Sequence, residues 1–529
     1  MRKPSPLFAS LSVTLCSAAT LCSAAAIAAP PVVGETVFET GFETAEARAA
    51  WSSAAFATWD VGFQTDRSLR VTVPAEEAKG GHMVSLPLDV ARYRGCKLRF
   101  TCKAKADGAT KPSASWLGVK YMFHVQSKSL GPSWTNENNV FGTFDWRTLE
   151  FVVAIPSDAE DGVLSLGLQD SAGTVWFDDL RVTVLKPARP PRPQPPANPP
   201  PAFKGHDLPR LRGVMSPTAF REEDIRVLGR EWNANVIRWQ IVRNWGKSGT
   251  ERDLAEYGRW IDAKLEELDA VLDSCQRHGV KVVIDIHSPP GGRYANNDMA
   301  MFFEKPYQDY FVALWERMAR RFRGHPAVWG YDLVNEPTQT KPSPDGVADY
   351  LGTQVLAAQA IRKIDPATPI FITSDQWGSA GGFRDLDPVS VSNVVYQVHF
   401  YSPHEYTHQG VNGEWKPVAY PGTIAGTAWN EAQIRAALQP VREFQLAYNA
   451  HIYVGEFSAA RWAPGAADYL RDCIAVFEDY GWDWTYHAYR EWDGWSLEHV
   501  GAPNAGRRAD TPTDRFDLLR SWFKKNERP

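Results

Sequence analysis

The tract KPARPPRPQPPANPPP, Lys186 to Pro201, constrains this chain more than any other feature. Proline has no amide hydrogen to give to a helix or a sheet ladder, and its ring fixes φ. Such a tract reads as an extended, semi-rigid polyproline II spacer that belongs to no core. The 529 residues are also too many for one ordinary domain. The chain must therefore fold as blocks on either side of the spacer, taken as residues 186–202.

Residues 33–185 carry short alternating runs: SLRVTV, KLRFTCKA, TLEFVVAI, VLSLGL and VWFDDLRVTVL. Gly, Pro and Asp separate them at short intervals, and no long helical period appears. That texture predicts an antiparallel β-sandwich. Its ends, VFETGFET and GTVWFDDLRVTVL, resemble those of jelly-roll modules common in carbohydrate-binding proteins. Trp116, Tyr121, Trp134 and Trp146 could form a sugar platform or fill the sandwich core. Cys96 and Cys102 lie on one predicted strand, roughly 20 Å apart, and cannot pair there. Cys275 and Cys473 fall in separate helical segments, and no CxxC or zinc spacing occurs. Buried, inert thiols are expected.

Residues 203–529 alternate differently. The apolar runs LRGVM, NVIRWQI, KVVIDIH, VWGYDLVNEP, PIFITSDQW, NVVYQVHFY, HIYVGEF and WDWTYHAY are separated by helical stretches such as AKLEELDAVLDSCQRHG. Eight strand–helix units predict a closed (β/α)₈ barrel, with its functional residues at the carboxyl ends of the strands. No GxGxxG follows the first strand, which argues against dinucleotide binding. At the strand ends the order is Arg238, His287, Asn335 and Glu336, Trp377, His399 and Tyr401, Glu456, and Trp492. His399 and Tyr401 are two apart and share a face. A pair of carboxylates whose surroundings separate their pKa values suits glycosidic cleavage. Competing readings make Glu456 a structural partner of Arg238, or His399, His404 and His408 metal ligands. Asp285 and Asp332 read as buried structural acids. Trp245 and Trp377 could hold flanking sugars or simply pack.

FRGHPAVWGYDLVNEP and YVGEF, in that order, resemble the fourth- and seventh-strand signatures of glycoside hydrolase family 5, of the retaining (β/α)₈ clan. The resemblance implies Glu336 as acid/base, Glu456 as nucleophile and Asn335 as partner of a sugar hydroxyl. It further implies Arg238 beside the nucleophile, His287 lining the cleaved subsite, the pair His399 and Tyr401, and Trp492 as an eighth-strand platform. The expected activity is endo-β-1,4-glucanase. β-Mannanase, xylanase and exo-acting β-glucosidase are alternatives within the fold, and a non-catalytic glycan-binding protein is the rival class.

Arg2 and Lys3, a Leu/Val/Ala run and the small residues Ala26 and Ala28 form the pattern of a secretory signal over residues 1–28. Export is therefore expected. The formal charge of −5, or −7 without Arg2 and Lys3 among 57 basic and 62 acidic residues, disfavours nucleic acid or an anionic membrane as partner. The expected partner is a β-linked polysaccharide or oligosaccharide, bound by a monomer that uses neither metal nor organic cofactor.

Overall fold

The computed structural model describes residues 29–128, 131–243 and 251–529. The expected signal segment and Trp245 lie outside the described residues. The chain divides into two compact units between Arg189 and Pro190.

The first unit is the expected β-sandwich. Thr36–Thr40, Ala57–Asp60, Ser68–Val73, Lys97–Ala109, Gly142–Ala154 and Gly173–Lys186 form one antiparallel sheet. Gly81–Leu88, Gly118–Ser127, Gly131–Asn136 and Ala159–Gln169 form the other. The alternation in KLRFTCKA sends Leu98, Phe100, Cys102 and Ala104 inward. Phe100 stacks on Phe151 of its own sheet at 4.9 Å and meets Phe123 of the facing sheet at 4.7 Å. Burying a phenylalanine there contributes about 1.5–3 kcal/mol. Tyr121 belongs to this core: it is buried, and its hydroxyl donates to the Thr101 carbonyl. It is therefore no part of a surface platform. Trp116 and Trp134 are exposed, and Trp146 is half-buried against Phe63. Cys96, Cys102, Cys275 and Cys473 are buried free thiols.

The second unit is a closed parallel barrel, and its strands are numbered β1 to β8. They are β1 (Arg212–Met215), β2 (Val236–Gln240), β3 (Lys281–Asp285), β4 (Val328–Asp332), β5 (Ile370–Thr373), β6 (Val394–Phe400), β7 (Ile452–Phe457) and β8 (Asp483–Tyr486). Val236, Val283, Trp329, Phe371, Val395 and Tyr453 fill the barrel interior. Their neighbours Ile237, Ile284, Val398 and Val454 face the surrounding helices. Helix Leu254–His278 shows how the sequence sets its own limits. The Asp253 carboxylate caps its first turn, and Gly279, at φ +69°, ends it in a left-handed conformation that a side chain would disfavour. No helix among the described residues is long and apolar enough to cross a membrane.

Lys186 closes the last sandwich strand, and from Pro187 on the proline-rich tract forms neither helix nor strand, yet it is not a free spacer throughout. The Arg192 guanidinium lies 5.1 Å over Phe444 and 5.7 Å over Tyr448, and donates to the Phe383 carbonyl. Asn449 donates to the Pro200 carbonyl at 3.0 Å. Cation–π attraction holds this part of the tract to the barrel surface.

Candidate active site

The side chain of Arg238 rises from β2 into the barrel and is fully buried. A buried guanidinium is tolerable only when its donors are all used. Here Nε donates to Asp332 at 2.7 Å, Nη1 to Glu456 at 2.6 Å and Nη2 to the Asn335 amide oxygen at 3.0 Å. Asp285 lies 3.1 Å from Nη2. Three acids thus share one cation. Asp285 and Asp332, expected as buried structural acids, are what orient Arg238. Burial pushes Asp332 up to about 6, against the pull of Arg238 and with help from Asp285.

His287 follows β3. Its Nδ1–H donates to Asp285 at 2.8 Å, so Nε2 is left to accept from the Asn335 amide at 3.0 Å. The chain Asp285–His287–Asn335 therefore fixes which way the amide points, with its oxygen on Arg238.

Glu336 and Glu456 face each other across His399. The three supply ligand-type atoms within 4.8 Å of one another, so an oxygen of each carboxylate lies within that distance of the other. His399 Nδ1 is 3.0 Å from Glu336 Oε1 and 3.7 Å from Glu456 Oε2. Glu456 owes its inward direction to a register shift between β6 and β7, which steps past Gly455 to set Glu456 beside His399. Gly455 has no room for a side chain: a Cβ would sit 2.3 Å from the Gln397 amide oxygen. Burial alone would raise the Glu456 carboxyl, but the positive charges of His399, His487 and Arg238 outweigh it and hold the group well below the usual carboxylate range. Glu336 is only partly buried. The pair thus offers one carboxylate locked in its ionised form and one open to the cleft.

Glu336 adopts φ +48°, a left-handed conformation that costs an ordinary residue about 1–3 kcal/mol. Arg293, which the sequence did not single out, holds it there. Its Nη2 donates to the Glu336 carbonyl at 2.8 Å and the Asn335 carbonyl at 3.3 Å, and Nη1 donates to Thr338 at 2.9 Å. The same guanidinium lies 4.6 Å over the Trp377 ring. Trp377 is 42% exposed beside the acid, where a flat sugar face could rest.

The Tyr401 hydroxyl lies 2.8 Å from Glu456 Oε2 and 2.8 Å from His487 Nδ1. His399 and Tyr401 therefore share a face, as their spacing requires. The end of β8 departs from expectation. The strand stops at Tyr486, so the residue it delivers to the site is His487. Trp492 sits farther along the following loop, 40% exposed and packed edge-on against Trp462 and Trp495. It is a loop residue on the cleft-side end of the barrel, not the strand-eight residue. His487 was hidden because WTYHAY reads as an uninterrupted strand with an embedded histidine.

Two groups could in principle bind a metal: Glu336, His399 and Glu456, and, among the other described residues, His206, His451 and Asp483. In each, hydrogen-bonded acid–imidazole pairs already account for the arrangement. Asp483 accepts from His206 at 2.8 Å and from His451 at 2.7 Å. His404 and His408 stack ring on ring at 4.0 Å instead of converging with His399 on a shared ion.

The family model Cellulase (glycosyl hydrolase family 5) matches residues 201–527. Endoglucanase C of Acetivibrio thermocellus is 25% identical over 262 residues, covering 43% of this chain and 74% of its own length. Cellodextrinase A of Ruminococcus flavefaciens is 26% identical over 242 residues, covering 45% and 68%. Beta-xylosidase of Phanerodontia chrysosporium is 26% identical over 289 residues, covering 50% and 54%.

Proposed function

This chain belongs to glycoside hydrolase family 5, and from that premise we propose that it is an exported retaining endo-β-1,4-glucanase. The retaining mechanism in this reading is carried by the close approach of the two carboxylates, whose nearest oxygens lie within 4.8 Å. Retaining glycosidases set their carboxyl groups about 5–5.5 Å apart, whereas inverting ones leave about 6.5–9.5 Å for a water.

In the proposed double displacement, the ionised Glu456 attacks the anomeric carbon while Glu336 gives its proton to the departing glycosidic oxygen. His399 bonds one oxygen of Glu336 and leaves the other to face the leaving group. The product of this step is a glycosyl ester on Glu456. Glu336, now a carboxylate, takes a proton from water, whose oxygen attacks the same carbon and restores the β configuration. Arg238 and Tyr401 each bond one oxygen of Glu456, which orients the carboxylate and stabilises its charge as it leaves. Asn335, held by Arg238 and His287, keeps its second amide hydrogen for a sugar hydroxyl.

A β-1,4-glucan is favoured by the names of the relatives, an endoglucanase and a cellodextrinase among them. The relative named beta-xylosidase keeps a xylan-type substrate as the second reading. Export rests on the sequence pattern of residues 1–28.

Release of reducing sugar from cellulose derivatives, mixed-linkage glucan, mannan and xylan tests the substrate. Azide tests the roles. With an aryl glycoside whose leaving group needs no proton, Glu336→Ala should form the glycosyl ester and then stall, and added azide should release a β-glycosyl azide. A β-azide from Glu456→Ala together with an α-azide from Glu336→Ala would mean that the roles are reversed, and no azide product from either variant would mean that the mechanism is wrong.

A further inference from the structure

The Tyr401 hydroxyl has one hydrogen and two neighbours that compete for it: Glu456 Oε2 and His487 Nδ1, each at 2.8 Å. If Nδ1 were bare, the hydroxyl could turn its proton to the imidazole and present a lone pair to Glu456. Carboxylate and phenol would then repel. If Nδ1 carries a hydrogen, the hydroxyl must accept from the imidazole and donate to Glu456. What settles the choice is Glu491. Its Oε2 lies 2.9 Å from Nε2 on the far side of the ring, and both side chains are more than nine-tenths buried. The contact is an ion pair whose angle falls outside that of a good hydrogen bond. A buried carboxylate at that distance favours an imidazolium with hydrogens on both nitrogens.

We propose that His487, anchored by Glu491, is a positioning residue for the reaction: it fills the acceptor side of the Tyr401 hydroxyl and so fixes that hydroxyl's proton on Glu456. The sequence Glu491–His487–Tyr401–Glu456 is a charge-ordered relay in which no proton needs to move. It joins the loop after β8 to the carboxylate on β7, so the nucleophile is oriented from two sides, by Arg238 on one oxygen and by this relay on the other. The inference rests on Glu456 being the nucleophile.

The groups facing His487 are Tyr401 and His408 after β6, Glu456 on β7, Glu336 after β4, and Glu491 and the Trp495 ring on its own loop. Burial would lower the His487 imidazole, but Glu491 and then Glu456 outweigh it and raise the group to about 9. Burial, with the charges of His404 and His487, depresses His408 to about 3, so it stays neutral through the working range. Burial and the Glu456 charge hold the Tyr401 phenol well above its ordinary value, so it keeps its proton. Among Tyr401, His408, Glu456 and His487, it is therefore His487 that titrates near pH 9.

Steady-state kinetics of the full chain on an aryl β-cellobioside whose leaving group needs no proton, so that ionisation of Glu336 does not set the alkaline limb of kcat/KM, test the relay as a function of pH. In the wild type kcat/KM should fall as pH rises through about 9, where His487 loses its proton. Glu491→Gln removes the charge that holds that proton and should move the alkaline limb down by about 1 unit or more. His487→Asn places an uncharged amide donor where Nδ1 was. It should keep most of the turnover and lose this limb. His487→Ala should lower kcat about 10- to 100-fold with little change in KM.

An alkaline limb that stays in place in Glu491→Gln, or a His487→Asn as crippled as His487→Ala, would overturn the proposal. If a variant does not fold, histidine nitrogen NMR of the wild type decides. Two protonated nitrogens on His487 near neutral pH support the relay, and a bare Nδ1 refutes it. A wild type inactive on every β-glycoside would instead overturn the glycosidase reading, so the two failures are distinguishable.

Discussion

Replacing Arg238 by methionine keeps an unbranched stem and removes the charge that three buried acids share. In the wild type that one guanidinium bonds Asp332 and Glu456 and pairs with Asp285. Removing one partner of a buried ion pair costs about 3–5 kcal/mol, because the other charge is left without compensation. A barrel of this size loses roughly 2 °C in Tm per kcal/mol, so Arg238→Met should melt about 6–10 °C below the wild type near neutral pH. The deficit should depend on pH. Without the guanidinium, Asp285, Asp332 and Glu456 can stay buried only by taking up protons, which raises their folded pKa values above the unfolded ones. A group raised in this way stabilises the fold fully below its unfolded pKa and loses that contribution as pH rises through the folded value. Asp332, already at about 6 in the wild type, shows the effect in mild form. The gap between variant and wild type should therefore be widest near pH 8 and narrow towards pH 5. Scanning calorimetry of both proteins at the two pH values measures it. A variant that melts within about 1 °C of the wild type near pH 8, or a gap that widens on acidification, would refute the reasoning.

Arg293→Ala removes a cationic donor from two carbonyls, a loss of about 1.5–3 kcal/mol. It should lower stability by that amount, reduce kcat by loosening Glu336, and raise KM for polysaccharide by freeing Trp377. A variant with wild-type kinetics would show that Glu336 holds its left-handed backbone unaided. A chain starting at Phe203 should be less stable than one starting at Pro190, because it lacks Arg192 on Phe444 and Tyr448, a contact worth about 0.5–2 kcal/mol. Both should turn over soluble substrate alike, and equal melting temperatures would mean that the tract adds nothing to the barrel.

The parts of the site legible in the sequence are those where polarity interrupts an apolar strand. Arg238, Asn335, Glu336 and Glu456 each break a run that otherwise fits the barrel interior, and His399 and Tyr401 follow from a period of two. Arg293 and His487 lack such contrast. Arg293 lies in an irregular loop, and its partners are main-chain carbonyls, which carry no side-chain signature. His487 sits among aromatic residues at a strand end that only the pairing of β8 with its neighbours defines. The family resemblance implies Trp492 as an eighth-strand platform, yet the chain leaves the strand six residues earlier. Tyr121 looked like Trp116 and Trp134 by composition, but its position on the inward face of Gly118–Ser127 buries it. The prolines predict a tract without helix or ladder bonds, while the seat of Arg192 depends on two rings far along the chain.

The covalent role of Glu456 is open to direct trapping. In a 2-fluoro cellobioside with a dinitrophenyl leaving group the fluorine slows both steps while the leaving group restores the first, so a double-displacement enzyme accumulates its glycosyl ester. Mass spectrometry of the digested protein should then find one fluorosugar, on the peptide that contains Glu456, and none after Glu456→Gln. A label on any other carboxylate, or substrate turnover with no label while the wild type remains active on the parent glycoside, would contradict Glu456 as the nucleophile.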